Sequence, residues 1–492
     1  MRYLIGIDAG TTNQKAILFD ENGTPAAQAI RPTATTRFPD GGAIYDPQQL
    51  WENICALLRT LKESAGEEAF SRVEGLAITG MGEAGVPLDS HGQPLYPIIA
   101  WFDPRTLPYV DWWKNSFGEE RLSAITGLRA QHIFSANKLM WLRDHEPDVF
   151  GKLWKWACVE DYLAFRLCGE LKMDTTIGSR TMLMDLAAED WSAPLLDAVG
   201  LRKGQLPELV PSGTFVGRVT KDAAEVTGLC AGTPVFTGGH DHICGALACG
   251  ILGTDSILDS SGTAEEVLLA TQDLSQVLPL GAKGFNVGCY AQAGYYYMAG
   301  GIPASGASMD WFRQQFGAQE GLTPGAHGLL FLPHLRGSSS PQRDLTSRGA
   351  YIGILPEHTP ADFAQAVCEG LCYEFRLCAQ QLLQGGTAQR IITIGGGAKN
   401  NHWLQTKADI TGLPIEVPET REATALGAAL LAGIGAGVYR NAEDAVRRTY
   451  RVGKTVLPRE EFRPLYDRTF PIYQDLYQTL LPVYQKLKEA AL

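Results

Sequence analysis

Apolar and polar positions at the N-terminus form two short runs, "YLIGID" and "QKAILFD", separated by "AGTTN" and followed by "ENGTP". Two apolar strands around a Gly-Thr-Thr turn predict a β-hairpin, and Asn22-Gly23 marks a second turn. "PQQLWENICALLRTLKESA" has helical periodicity, whereas "VEGLAITG" predicts a short buried strand ending in small residues. "SANKLMWLRDHEPDVF" predicts a helix broken at the proline, and "ETREATALGAALLAGIGAGVY" a buried helix built of small residues. Strands interleaved with helices imply an α/β fold with mostly parallel, covered sheets.

The pattern then restarts. "TDSILDSSGTAEEVLLAT" is again strand, hydroxyl-rich turn, strand, and its turn from Asp259 to Thr263 echoes the first from Asp8 to Thr12. The echo implies a duplicated core with a cleft between two halves, divided at residues 1–245 and 246–492. No composition shift marks a flexible linker, so the halves are expected to pack closely.

Composition narrows the function. The 492 residues carry a formal net charge of −12 and no basic cluster, which disfavours nucleic-acid binding, a process that relies on cations to neutralise phosphates. The start "MRYLIGIDAG" does not read as a secretory signal, and no apolar run approaches the ~18 residues of a membrane span, so a cytoplasmic protein is expected. The ten cysteines form no C-x-x-C, and Cys368, Cys372 and Cys378 fall at helical spacing; reduced, mostly buried thiols are expected. Glycine is abundant, 54 residues or about 11%, and clusters beside apolar runs, which suits tight turns and close approach to a ligand.

Three stretches carry candidate chemistry. Gly10-Thr11-Thr12 and Ser261-Gly262-Thr263 place backbone N–H groups and hydroxyls where phosphate oxygens can be held. Gly395-Gly396-Gly397 lies between an apolar strand and a helix, a junction that lets a ligand sit against the backbone; it is not the dinucleotide pattern G-x-G-x-x-G. "TGGHDHICGAL" sets Asp241 between glycines and an apolar run, where a carboxylate is costly to bury unless it is paired or used.

In order along the chain, "GIDAGTTNQKAILFD", "GGHDH", "DSSGT", "SRGAYIGI" and "IGGGAKNNHWLQTKADITGLPIEVPETREATALGAALLAG" resemble the FGGY family of carbohydrate kinases, which includes glycerol kinase and xylulokinase. The resemblance runs from about residue 4 to residue 440. Two family signatures are present with small departures, at Ala136 and at Cys368. The resemblance implies the actin/Hsp70/hexokinase-like (ribonuclease H-like) fold, a duplicated two-domain ATPase with ATP in the interdomain cleft and sugar deeper in the N-terminal half. By position, Asp241 is implied to be the catalytic base that takes the proton from the attacking hydroxyl, the role a catalytic-loop aspartate has in protein kinases. Its preceding glycines are expected to admit substrate. Asp8 is implied to orient Mg2+ through water, with Gly10, Thr11, Thr12 and Lys15 at the terminal phosphates. Gly262 and Thr263 close from the other domain, and Gly396, Gly397 and Asn400 border the adenosine.

For the acceptor, the resemblance points to "AITGMGEAGVPLD" and "IIAWFDPRT". Glycerol kinase has an Arg-Glu pair in the first stretch; here Gly82 stands in place of the arginine and Glu83 remains. Xylulokinase has Met-His there, which this chain lacks. The missing arginine is taken to leave room for an acceptor larger than glycerol: a tetritol, ketotetrose or ketopentose. Trp101, Asp103 and Arg105 fit the family's W-x-D-x-R pattern, the aspartate suited to vicinal hydroxyls and the tryptophan to an apolar sugar face. His242 is expected to contact substrate or Asp241, and His240 to be a packed neighbour; an H-x-H metal site lacks companion ligands. The expected partners are a small sugar or polyol, and a homodimer is compatible with the resemblance. A different class, an actin- or Hsp70-like ATPase switch that binds a protein, shares the turns but needs no acceptor pocket.

Overall fold

The computed structural model describes residues 1–490 apart from 339, 341 and 342. Its N-terminal half is built on β1 (Tyr3–Ala9), β2 (Asn13–Asp20), β3 (Pro25–Pro32), β4 (Val73–Gly80), β5 (Phe215–Arg218) and β6 (Pro234–His240). The order across this sheet is β3-β2-β1-β4-β6-β5. The C-terminal half uses β7 (Ser256–Ser261), β8 (Glu265–Thr271), β9 (Asn286–Cys289), β10 (Tyr296–Ile302), β11 (Arg390–Gly395), β12 (Ile415–Pro418) and β13 (Val452–Val456). Its order is β9-β10-β8-β7-β11-β12-β13.

The two sheets are the same construction. The first hairpin of each is antiparallel, β1 with β2 and β7 with β8, and its first strand then pairs in parallel with β4 or β11. A second parallel pairing follows, to β6 or β12, and an antiparallel strand closes the edge. The duplication expected from the two echoing turns is therefore present. The expectation of mostly parallel sheets is corrected: only the centre of each is parallel, because consecutive hairpin strands can pair only antiparallel while the parallel members return through helical crossovers.

The helices that matter for the site are α1 (Pro47–Ala65), α2 (Asp241–Ala248), α3 (Ser305–Phe316), α4 (Pro360–Leu383), α5 (Asn401–Thr411) and α6 (Ala423–Gly435). Helix α1 starts where Asp46 accepts N–H bonds from Gln48 and Gln49, with proline in its first turn. Helix α2 spans the expected division at residue 245. Helix α6, though late in the chain, lies on the N-terminal sheet. A Cβ at Gly6 would stand 1.8 Å from the Ala425 carbonyl oxygen, and one at Gly427 would stand 1.9 Å from that of Cys244, so only glycine allows these approaches. Ile17, Phe19, Ile243, Leu258, Ile392 and Leu426 thus share one apolar core between the sheets. The halves pack closely, as the absence of a linker implied. All ten cysteines are free, and all but Cys230 are buried. Among the described residues, no helix is long and apolar enough to cross a membrane.

Candidate active site

Asp241 opens helix α2, directly after β6. Of the two glycines before it, Gly238 is required by the sheet itself. A Cβ at Gly238 would lie 2.0 Å from the Ile78 carbonyl oxygen of the neighbouring strand, and the ladder shifts register between Thr237 and Gly239. Such a bulge re-aims the strand end. Thr79 Oγ1 donates to the Gly239 carbonyl at 2.7 Å, and the His240 N–H donates to Thr176 Oγ1 at 2.8 Å. Asp241 is thereby presented at a helix N-terminus, where the orphan N–H groups favour negative charge.

Its carboxylate is half-used. Oδ1 accepts from the His242 N–H at 2.7 Å and lies 3.1 Å from His240 Nδ1. No hydrogen bond within the described residues reaches Oδ2. His240 is more than a packed neighbour, because burial pulls its pKa down and leaves a neutral ring beside Asp241. His242 pairs through Nδ1 with Glu266 of β8, across the cleft, and that carboxylate pushes the imidazole up to about 10. No cluster of three or more metal-ligating side chains occurs among the described residues.

Asp241 and His242 line a cavity of about 260 Å³ with Thr11, Gly82, Glu83, Trp101, Arg180 and His240. Glu83 is 6% exposed, which excludes a surface loop. The arginine absent at position 82 is supplied from elsewhere. Arg180 Nε donates to Glu83 Oε1 at 2.7 Å, and NH2 lies 2.5 Å from the same oxygen. Nor is position 82 empty: the His240 ring stands 2.5 Å from where a Cβ on Gly82 would be. The inference that a lost arginine enlarges the pocket is corrected accordingly. Arg180 was missed because its partner is 97 residues away in sequence; the only local trace is an arginine inside the small and apolar run "GSRTMLM".

Trp101 lines this cavity and donates from Nε1 to Thr11 Oγ1 at 3.3 Å. Asp103 does not line it. Its oxygens accept from the Ala43 N–H at 2.6 Å and from Arg105 Nε and NH2, both at 2.9 Å, and its side chain is 0% exposed. The expected contact of Asp103 with vicinal hydroxyls has no free oxygen to make it: both are taken by the Ala43 N–H and Arg105. Arg105 is bound to it and stacks 4.9 Å over the Trp141 ring.

Asp8 lies opposite Lys15 in the β1–β2 ladder. Burial, and next the Asp241 carboxylate, push it up to about 7. Lys15 Nζ is 2.7 Å from Glu422 Oε2, at the entry to α6. Gly10 packs against Asp8, while Thr12 is exposed at the tip of the turn. On the second turn, the Gly262 and Thr263 carbonyls accept from Gly306 and Ala307 N–H groups of α3 at 3.0 and 3.1 Å.

Gly262, Thr263, Gly396, Gly397 and Asn400 line a cavity of about 720 Å³, walled by Phe312, Val367, Cys368 and Trp403. Asn400 Oδ1 caps α5 by accepting from the Trp403 N–H at 3.1 Å. Gly395 takes φ 85 and brings the triglycine against Ser261 of the second turn. A third cavity joins the other two: His242 is shared with the small cavity, and Gly262 and Gly396 with the large one. The large cavity, the two hydroxyl-bearing turns and the small polar pocket thus form one path, with Asp241 at the small pocket.

The chain matches the N-terminal domain of the FGGY family of carbohydrate kinases over residues 3–248 and the C-terminal domain over residues 260–436. This chain belongs to that family. It is 30% identical to a xylulose kinase of Bacillus subtilis over 487 residues, 97% of either chain. It is 28% identical over 504 residues to an L-xylulose/3-keto-L-gulonate kinase of Escherichia coli, 100% of both. The xylulose kinase structure from Rhodospirillum rubrum superimposes with a TM-score of 0.90 at 30% identity, covering 98% of this chain and 100% of that one. The protein is therefore a two-domain FGGY kinase of the actin/hexokinase-like class, a phosphotransferase with an alcohol group as acceptor. The protein-binding ATPase switch falls away.

Proposed function

We propose that this kinase transfers the γ-phosphate of ATP to a hydroxyl of a small uncharged ketose or polyol, first of all a ketopentose such as xylulose, with Asp241 as general base. One observation carries the reading. Asp241 lies in the small acceptor pocket where it opens into the cleft between the two threonine-bearing turns. The relatives of matching length named for xylulose favour a ketopentose over the smaller tetritol and ketotetrose.

In this reading, Asp241 Oδ2 takes the proton of the attacking hydroxyl while Oδ1 is held by the His242 N–H and His240, so the carboxylate enters the reaction already oriented. Glu83 accepts from a second hydroxyl, and Trp101 covers the apolar face. The pocket's other charges are matched in pairs, Glu83 with Arg180 and His242 with Glu266. Among the described residues that line this pocket, no spare cation is left for a carboxylate on the acceptor. Asp103 and Arg105 brace the chain that follows Trp101. Thr11, Thr12 and Lys15 meet the terminal phosphates from one side and Gly262 and Thr263 from the other, with the adenosine bordered by Gly396, Gly397 and Asn400.

Asp241 is close enough to Asp8 to oppose its ionisation, and hard oxygen donors in that position fit Mg2+, which keeps waters and shares phosphate oxygens. When bound, the ion supplies charge neutralisation of the transferring phosphate. Domain closure around this path excludes water from the role of acceptor.

The test is ADP release with D-xylulose, L-xylulose, erythritol, L-erythrulose, glycerol and gluconate. A ketopentose is expected to give the highest kcat/KM and gluconate none. Asp241→Asn is expected to lower kcat by about 10²–10⁴-fold, the usual worth of a general base, with ATP binding retained. A variant that keeps most of its kcat would remove Asp241 from the role of base.

A further inference from the structure

Arg180 follows the short helix Thr175–Ser179, and is 97 residues from Glu83 in the chain. Its guanidinium is buried at 9% exposure and touches both domains. On the N-terminal side, Nε and NH2 hold Glu83 Oε1 at 2.7 and 2.5 Å, and Cζ lies 5.1 Å from the Phe134 ring centroid. On the C-terminal side, NH1 donates to the hydroxyl of Tyr297, on β10, at 3.3 Å.

Glu83 needs holding. It has φ 66, and the Ala84 N–H donates to the Gly82 carbonyl two residues back at 2.8 Å. That is a γ-turn of the rare positive-φ kind, which persists only where its surroundings fix it. Two contacts do so: Ser135 Oγ donates to the Glu83 carbonyl at 3.0 Å, and Arg180 grips the side chain. Both guanidinium contacts fall on Oε1, and no hydrogen bond within the described residues uses Oε2. Glu83 therefore meets the pocket as a fixed acceptor with one oxygen open. A planar fork can hold the carboxylate with one edge and the phenol with another, which an ammonium on a flexible stem does not reproduce.

We propose that Arg180 is a positioning residue for the acceptor: it orients Glu83 Oε2 toward an acceptor hydroxyl, and its link to Tyr297 completes that orientation only when the two domains stand together. The inference rests on the reading of this cavity as the acceptor pocket. It gives the protein an interdomain substitute for the Arg-Glu pair of adjacent residues in glycerol kinase, with the cation delivered from another element because the His240 ring occupies the space over Gly82.

The experiment measures kcat and KM for ATP and for whichever of D-xylulose, L-xylulose, glycerol, erythritol and L-erythrulose the wild-type enzyme phosphorylates fastest, in wild type, Arg180→Lys, Tyr297→Phe, Glu83→Gln and the double variant Arg180→Lys/Glu83→Gln. Arg180→Lys is expected to raise the acceptor KM at least tenfold while the ATP KM moves less than twofold. Tyr297→Phe is expected to do the same at about threefold. The double variant should be no worse than Glu83→Gln alone, since the arginine acts through that carboxylate. If Arg180→Lys does not fold, Tyr297→Phe, which drops one hydroxyl, decides by the same split. Equal shifts in both KM values, additive losses in the double variant, or unchanged acceptor kinetics overturn the proposal while leaving the acceptor pocket in place. A wild-type enzyme that phosphorylates none of these compounds, erythritol and L-erythrulose included, overturns the pocket assignment and this inference with it.

Discussion

The two hairpin turns occupy equivalent places in the two sheets, yet their aspartates live in opposite electrostatic conditions. Asp259 has 0% side-chain exposure, and Lys407 Nζ lies 2.5 Å from its Oδ2 and 2.7 Å from Glu265 Oε1. Thr393 donates to the same Asp259 oxygen at 2.8 Å and Ser261 to the other at 3.1 Å. Asp8 has no such dedicated cation. Lys15 stands across the ladder but is engaged by Glu422, and Asp241 adds a second negative charge. Duplication supplies the backbone of both turns. Which carboxylate stays open for chemistry is decided by where a lysine was placed: in the second lobe it is locked inside, and in the first the cleft is left short of positive charge, a deficit that a magnesium ion fits.

That contrast is broken most sharply by neutralising each aspartate in turn. Asp8→Asn is expected to cost about 10²–10³-fold in kcat, the scale for losing a preorganised electrostatic contact in a water-excluded site, with the fold retained. Asp259→Asn is expected to keep most of kcat and to lower the melting temperature instead. The pH dependence separates them further. Asp8 is raised from 3.8 to about 7 in the folded protein, so the folded state holds its proton more tightly than the unfolded one between those values. Its contribution to stability is full below pH 3.8 and is lost as pH rises toward 7. With Asp8 in the role proposed above, activity runs the other way, because the ionised form is the one that would meet the cation. Wild-type kcat/KM should climb through about pH 7, the value to which Asp8 is raised, while its denaturant midpoint declines. In Asp8→Asn that part of the decline should vanish, and an unchanged slope would put the titration elsewhere.

The second lobe yields a stability effect. Lys407→Met leaves Asp259 and Glu265 facing each other without a cation in the core, and removal of one partner from a buried ion cluster costs about 3–5 kcal/mol. Equilibrium urea unfolding measures it. Asp259→Asn in the same chain should restore part of the loss by removing one of the two stranded charges. A Lys407→Met protein as stable as wild type would show that Glu265, itself pushed up to about 7 by burial, already carries a proton.

Much of this scaffold was legible along the chain because it is local. The hairpins, the helix Pro47–Ala65 and the strand Val73–Gly80 follow from apolar period, a capping aspartate and turn residues within a few positions. The two glycine- and threonine-bearing turns and the triglycine junction were legible for the same reason, since each is a contiguous stretch. The acceptor side was not. Arg180 reaches Glu83, and Glu266 reaches His242, only after sheets and domains have assembled. Asp103 shows the converse: the residue type suited a sugar, but the neighbouring Arg105 and the Ala43 N–H claim both oxygens. Mixed sheets were misjudged because burial on both faces looks alike in sequence whether the partner strand runs parallel or not.

The finest test compares one side chain from each turn. Trp101 Nε1 donates to Thr11 Oγ1 at 3.3 Å on the first, and Ser305 Oγ donates to Glu265 Oε2 behind the second. Trp101→Phe keeps an aromatic face and drops one neutral hydrogen bond, worth about 0.5–1.5 kcal/mol. A long bond belongs at the lower end, so kcat/KM should fall by roughly two- to fivefold with the melting temperature nearly unchanged. Ser305→Ala should do the reverse, because Glu265 still has Lys407: a fall of a degree or so in melting temperature, by order of magnitude, with kinetics intact. Should Trp101→Phe shift stability and spare kcat/KM, the indole would be a strut for the first turn as Ser305 is for the second, and the two lobes would differ in their aspartates alone.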